Sequence, residues 1–493
     1  MPKTNNSGVN SSIASEPDTW MKVFSGRLGI YTLVLNLAIA LFAIDTFVIT
    51  TIMPTIVGEI GGTQYYSWTV MLYMVGSIIG ASSAGPVKER FGRRNGYVFA
   101  GLLFVIGNVG AGFSPDMLTL VLFRLVQGLG GGLMISQSYG LVGDMYPPLL
   151  RVRILSIIST TWGVATIIGP GFGGIFAELA IWRAAFGTIV LFGLIFVAMA
   201  WRFVPSLERP DIIKQLRSSF PIYRLASLGG SILCVGFTSQ VGENLIRVGL
   251  ILAAVGLAIF AFRRDSGSPN PMFPQKTLVI YSEIGAAYWI ILLVTMSFNF
   301  ATIYATLYLQ VLHNQTPIIA AYIHALMSLS WTVSALMVAS IQGRAVWWAI
   351  FGGVALILVG MVTLAGWATS GPVIAPGIGL ILVGLGMGLS NNHIIALAIL
   401  SAPDGKESLA GSSVQTIRTL GIGFGSAAAG LFANAAGLTG AGIETNEFGE
   451  ARAIAPDVIV NAIDLVHRVG VLLAAAALVA TIVFYALARY RTY

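Results

Sequence analysis

From residue 29 to residue 488 the charged side chains are gathered into short links. Between the links run apolar stretches of roughly 17–30 residues that are almost free of Asp, Glu, Lys and Arg. About 20 apolar residues in helical form span a bilayer, and backbone out of reach of water must satisfy its own hydrogen bonds, so runs of this length fold as transmembrane helices. Composition agrees. Only 10% of the 493 residues are charged and 56% are hydrophobic, whereas a soluble chain has about a quarter of its residues charged. The 58 glycines fit the same class, because small residues let membrane helices approach closely.

Fourteen spans are expected, at 29–56, 66–84, 95–113, 116–142, 152–177, 182–204, 224–241, 245–262, 281–311, 317–342, 345–367, 373–401, 408–434 and 466–488. The seventh and eighth are separated only by Val241–Glu243 and its neighbours; merged, they would give thirteen spans and an external C-terminus. The basic residues decide between the two counts. Lys3, Lys22 and Arg27 precede the first span, Lys88, Arg90, Arg93 and Arg94 follow the second, and Arg151 and Arg153 follow the fourth. Taken to the end of the chain, 21 of the 27 Lys and Arg fall on alternate links. That is the positive-inside pattern for fourteen spans with both termini cytoplasmic, in a membrane of the bacterial inner type.

The net charge of +7 therefore belongs to membrane topology and implies no nucleic-acid partner. A single cysteine, Cys234, excludes an intrachain disulfide and a thiolate metal site. The polar stretch 1–27 lacks the layout of a cleavable signal and is expected to be a cytoplasmic tail, with 20–27 as a short surface helix.

The most charged short link is Gly85-Pro86-Val87-Lys88-Glu89-Arg90-Phe91-Gly92-Arg93-Arg94, wedged between the second and third spans. Two membrane helices joined so tightly form a hairpin, and the glycines permit the turn. The pattern resembles the signature loop between spans 2 and 3 of the major facilitator superfamily, with Glu89 where the family has Asp. Six spans, two extra spans and six more resemble the fourteen-span drug:proton antiporter branch of that superfamily. The resemblance implies an all-α membrane protein of the major facilitator fold, two six-helix bundles plus two extra helices around a central cavity. The superfamily is itself a standard example of a transporter fold built from internal repeats. The implied division is a tail at 1–27, a bundle at 28–204, a linker with the two additional helices at 205–280, and a second bundle at 281–493 with an outer loop at 435–465.

Asp45 is the only acidic residue placed deep within a span. A carboxylate at mid-membrane costs several kcal/mol unless it is paired, solvated or protonated, which suits a group that loads and unloads protons. The stretch from Asp45 to Pro54 resembles the family's first-span signature. Arg124, in Arg124-Leu125-Val126-Gln127-Gly128, is the partner to expect; with Gln127, Gly131 and Ser138 it falls on one face of the fourth span. The run resembles the family motif whose Arg is assigned to proton coupling. Against this stands the plainer reading, a structural ion pair.

Ala165 to Gly174 resembles the family's antiporter motif, carried here by Gly169, Pro170, Gly173 and Gly174, with Ala165 in place of the first Gly. Pro170 removes a helix hydrogen bond and so favours a bend, while the glycines allow close helix contact. In the family this motif marks exporters; glycine-rich packing is the alternative. Asp144, with Gly85, Glu89, Arg90, Gly92 and Arg94, forms a candidate cytoplasmic gate that latches the outward-facing state, against the alternative of solvated surface charges. Arg418 resembles a basic position near the start of the family's thirteenth span and either meets that loop or snorkels to the surface.

Candidate substrate contacts are the intramembrane aromatic and polar groups Trp68, Tyr73, Gln127, Asn299, Tyr304, Tyr308, Trp331, Asn391, Asn392 and His393. An aromatic wall with few fixed charges suits flat, amphipathic organic molecules. For any one of them a packing role is the competing reading, and His393 is also a candidate second proton site. No Gly-x-x-x-x-Gly-Lys-Ser/Thr phosphate loop occurs, the four histidines lie far apart, and no catalytic constellation is present, so neither an enzyme nor a cofactor is expected. The chain reads as a monomeric secondary exporter of small organic molecules in exchange for protons. A narrower siderophore, metabolite or antibiotic carrier, or a proton symporter, is the alternative.

Overall fold

The computed structural model describes residues 20–206, 222–268, 271–403, 406–440, 443–445, 451–453 and 455–488. Sixteen α-helices account for nearly all of them. In the first part of the chain these are α1 (Trp20–Phe24), α2 (Gly26–Ile60), α3 (Trp68–Ser82), α4 (Ala84–Gly112), α5 (Met117–Met145), α6 (Pro148–Glu178) and α7 (Trp182–Phe203). An intermediate pair follows, α8 (Ile222–Thr238) and α9 (Asn244–Ser266). The rest comprises α10 (Glu283–Thr302), α11 (Ala305–Val311), α12 (Pro317–Met337), α13 (Arg344–Trp367), α14 (Ile374–Leu400), α15 (Glu407–Ala435) and α16 (Pro456–Ala488).

Each expected span has its helix, the ninth being made of α10 and α11 with a break at Ile303 and Tyr304. Among the described residues eleven helices are long and apolar enough to cross a membrane by length and composition. α3 has 15 residues and α8 has 17, short of that standard, and α15 is diluted by Ser, Thr, Gln and Arg418. Large apolar side chains such as Leu245, Leu336, Trp348 and Leu472 stand exposed on outward faces. Helices apolar on all sides are what a lipid surround selects.

Two local expectations need correcting. The charged link at 85–94 is not a loop. The chain turns at Ser83, α4 begins at Ala84, and the interruption sits at Gly92, whose φ of 79° and ψ of 168° interrupt an otherwise helical run. The outer loop at 435–465 carries a small ribbon, β1 (Ile443–Thr445) antiparallel to β2 (Ala451–Ala453), so the described chain is all-α but for these two short strands. At the end of that loop the stretch Pro456–His467 forms the helix expected to lead into the last span, and it continues unbroken as α16. Of the expected tail, residues 1–19 lie outside the described residues, as do 207–221 of the link after the sixth span.

Helix starts follow local chemistry. Asp116 caps α5 by accepting from the Thr119 amide at 2.8 Å, and Ser282 caps α10 by accepting from the Gly285 amide at 3.1 Å. In the first bundle α3 and α4 pack on α5, α2 on α6, and α4 on α7. In the second, α10 packs on α16 and α15, and α14 on α12 and α13. The bundles meet through α6 with α12, α3 with α15, and α2 with α11, while α8 leans on both α3 and α15.

Candidate functional site

α2, α3 and α5 converge on a fully buried polar cluster. Asp45 lies about midway along α2 and Arg124 two turns into α5; each is 1% exposed, and Arg124 Nη1 donates to Asp45 Oδ2 at 2.6 Å. Gln127, one turn along α5, holds both partners. Its Oε1 accepts from Arg124 Nη1 at 3.1 Å and its Nε2 donates to Asp45 Oδ1 at 3.3 Å. Arg124 Nε donates to the Thr69 carbonyl of α3 at 3.3 Å, and the guanidinium lies over the Tyr73 ring, 4.0 Å from its centroid.

Every charge in the cluster has a partner. Such a pair is stable only because hydrogen bonds and the ring face replace lost hydration, and removing one member strands the other. Chemically, the arrangement gives the Asp45 carboxyl two settings. Ionised, it holds Arg124. Protonated, it releases a guanidinium that still keeps Gln127, Thr69 and Tyr73.

The helices reach this closeness through small residues. A Cβ on Gly128 of α5 would run into the Tyr73 carbonyl of α3, a backbone atom unable to step aside. Gly131 faces Phe42 and Tyr73, and the Ser138 hydroxyl accepts from Tyr97 at 2.7 Å, so the α5 face from Arg124 to Ser138 points inward throughout.

The antiporter-motif residues line two sides of α6. Gly169 and Gly173 face Phe47, Val48 and Thr51 of α2, whereas Gly174 faces Ile318 of α12. Pro170 lies inside the helix and supplies no amide to the carbonyl one turn back. α6 thus has one smooth side against its own bundle and another against the second bundle.

At the charged link, Arg90 lies over the Phe91 ring at 5.8 Å and Arg94 over Trp201 of α7 at 4.6 Å. Gly85 is exposed at the start of α4. The Glu89 and Asp144 side chains lie outside the described residues. Arg418 extends over Trp331 of α12, 5.7 Å from the ring centroid.

The proposed substrate contacts do not gather into one wall. Trp68 is buried edge-on against Phe237 of α8, at 4.8 Å. Tyr304 sits at the break between α10 and α11 and packs on Tyr66, just before α3, at 5.2 Å, while Tyr308 meets His467 of α16 edge-on at 5.7 Å. Asn299 accepts from Ser426 of α15 at 3.2 Å, and Trp331 packs edge-on against Phe298 at 5.3 Å. Asn391 donates to Asn392 at 3.3 Å, and His393 Nε2 pairs with the Val338 carbonyl at 3.2 Å. Of these residues, Tyr73 and Gln127 alone join the Asp45 cluster.

Several polar groups escape the sequence reading. Asp265 at the end of α9 binds Arg224 of α8 at 2.5 Å and also accepts from the Met272 and Phe273 amides, clipping the intermediate pair together. Glu59 at the end of α2 pairs with Arg183 and accepts from Trp182 Nε1 at 2.6 Å. Both pairs join residues far apart in sequence, which no spacing rule connects. An acid standing at the end of a span is the one signal the sequence offers for them.

A polytopic helical bundle with a buried ion pair between α2 and α5 defines a multi-pass membrane protein. The chain belongs to the Major Facilitator Superfamily, whose sequence pattern matches residues 35–426. It is 29% identical over 437 residues to a probable multidrug-efflux transporter of Mycobacterium tuberculosis, covering 86% of this chain and 91% of that protein. It is 24% identical over 243 residues to multidrug resistance protein 3 of Bacillus subtilis, covering 48% and 46% of the two chains. Among solved structures, a bacterial homologue of the lysosomal transporter Spinster in an inward-facing, unoccupied conformation matches with a TM-score of 0.63 at 13% identity, over 94% of this chain and 97% of that one. A D-xylose–proton symporter matches with a TM-score of 0.58 at 19% identity, over 83% and 90%. The protein is therefore a multi-pass membrane transporter rather than an enzyme.

Proposed function

We propose that this protein exports small amphipathic organic molecules in exchange for protons, with Asp45 as the proton carrier and Arg124 as the group that reads its charge. The observation that carries the reading is the Asp45–Arg124 pair, 2.6 Å apart and 1% exposed on both sides, in a transporter whose relatives include multidrug exporters. An ionised carboxyl at this depth persists only against a cation, so protonation and pairing exclude one another. Facing outward, Asp45 takes a proton as its hold on Arg124 weakens. Facing inward, it gives the proton up while substrate leaves in the opposite direction. All fourteen helical segments cross a bacterial inner membrane with both termini cytoplasmic, and a monomer completes the cycle. Pro170 and the glycines of α6 let the bundles rock, and the Gly85–Arg94 segment, Asp144 and Arg418 close the cytoplasmic side.

The test is substrate uptake into inverted vesicles under an imposed proton gradient. Asp45→Asn is expected to reduce gradient-driven accumulation to the level of protein-free vesicles, while exchange of labelled substrate down its own gradient persists. Undiminished gradient-driven accumulation in that variant would remove Asp45 from proton carriage.

A further inference from the structure

A cavity of about 350 Å³ opens on the flank of the molecule where α9 meets α10 and α15. Its outer rim is made of Ile251, Val255 and Ile259 of α9, each between 41% and 52% exposed, so it faces the surroundings of the bundle and not the interior. Four side chains with polar atoms line it, and all four are already committed. Ser231 donates to the Ala254 carbonyl, Thr277 to that of Pro274, Tyr288 to that of Ala410, and Trp289 to that of Leu278. Nothing aims a free hydrogen-bonding group into the space, so its occupant along this length is hydrocarbon.

The cavity follows α9 from Ile251 to Phe262, about 16 Å at a rise of ~1.5 Å per residue and so close to half of a ~30 Å hydrocarbon core. One end is marked by charge. Phe262 precedes Arg263 and Arg264, and Thr277 and Leu278 follow Lys276; all three cations are exposed and have no ion-pair partner among the described residues. The nearby acid does not neutralise them, because Asp265 is buried and taken by Arg224 and the Met272 and Phe273 amides.

We propose that this groove is a binding site for an anionic membrane phospholipid. One acyl chain lies along α9 against Trp289 and Phe424, and the phosphate headgroup is held by Arg263, Arg264 and Lys276. The opposite wall of the groove is Ile417, Leu420 and Phe424 of α15, the helix that also meets α3 across the two bundles. Lipid in the groove therefore braces α15 from outside, and the intermediate helix pair exists in part to build the site.

Purified full-length protein titrated with phosphatidylglycerol or phosphatidylcholine carrying brominated acyl chains reports occupancy through quenching of Trp289, taken as the difference between native protein and Trp289→Phe. Saturable quenching is expected at a phosphatidylglycerol concentration at least about tenfold below that for phosphatidylcholine, since each basic residue beside an anionic headgroup contributes roughly fivefold. Replacing all three cations (Arg263→Gln, Arg264→Gln, Lys276→Gln) is expected to erase the preference, and Ala258→Phe, which fills the groove, to erase the quenching. Equal quenching by the two lipids in native protein would overturn the headgroup site; quenching unaltered by Ala258→Phe would overturn the groove. Native mass spectrometry of the unaltered chain in a mixture of the two lipids decides the same preference without any variant, and retention in proportion to the mixture would overturn the proposal.

Discussion

At the scale of single residues, the Asp45 cluster makes opposite demands on stability and on coupling, and substitutions separate them. Arg124→Leu removes the cation while leaving a carboxyl among Gln127, Tyr73 and Phe42; breaking a buried pair in this way is expected to cost about 3–5 kcal/mol, read as a lowered unfolding temperature in detergent. The double variant Asp45→Asn with Arg124→Gln replaces the pair with neutral amides of similar shape. It is expected to recover much of that loss and still fail to couple transport to a proton gradient. A double variant no more stable than Arg124→Leu would mean that the cluster's value lies in packing and not in charge balance. Asp45 and Arg124 are legible in the sequence because charge in a long apolar run is conspicuous. Gln127 is legible from its one-turn spacing, whereas the Thr69 carbonyl, which accepts from Arg124 Nε, carries no side-chain signal at all. The aromatic contacts are the least legible. An intramembrane Trp or Tyr announces its size but not its neighbour, and the structure gives Trp68 to Phe237 and Tyr304 to Tyr66.

At the scale of elements, periodicity and length place a helix at each expected position, eleven of them long and apolar enough to cross a membrane among the described residues, because lipid leaves the backbone few alternatives. What they miss are the places where polar residues continue a helix instead of ending it. The Gly85–Phe91 segment is helical although it holds Lys88, Glu89 and Arg90. The true break at Gly92 is a backbone matter. With φ of 79° and ψ of 168° it occupies a region open almost only to glycine, and no atom lies within 4 Å of where a Cβ would stand. In stability, Gly92→Ala thus tests backbone strain without a steric clash, expected to cost about 1–3 kcal/mol in unfolding free energy. Gly128→Ala differs in cause: its Cβ would meet the Tyr73 carbonyl, so α3 and α5 must separate. Overpacking of that kind is expected to cost about 1–3 kcal/mol, and because Tyr73 underlies Arg124 it is also expected to weaken substrate binding and transport. Gly92→Ala touches nothing in the cluster, so any loss of transport in that variant belongs to closure by the Gly85–Arg94 segment and not to the Asp45 site.

At the scale of the whole molecule, three hydrogen bonds join the two bundles at the end away from the basic links. Thr306 donates to the Thr50 carbonyl at 2.6 Å, the Ile318 amide to Glu178 at 3.4 Å, and Asn434 to the Gln64 carbonyl at 3.0 Å. Tyr66 on Tyr304 closes the same end with apolar contact. On the proposed orientation these contacts seal the outer side, and transport requires them to part. A covalent tie across the seal tests that requirement. A Cβ on Gly430 of α15 would stand 3.0 Å from the Ser67 Cβ at the start of α3, near the separation of about 3.5–4.5 Å that a disulfide needs. Ser67→Cys with Gly430→Cys, in a chain whose Cys234 is replaced by Ser, is expected to cross-link under mild oxidation and to lose transport to background until a reductant restores it. Because the tie blocks the rocking itself and not the proton step, the cross-linked protein should also stop exchanging labelled substrate, which Asp45→Asn is expected to retain. Full transport by the cross-linked protein would mean that the seal between α3 and α15 is permanent, and the opening would then have to run along α6 and α12, where Gly174 faces Ile318.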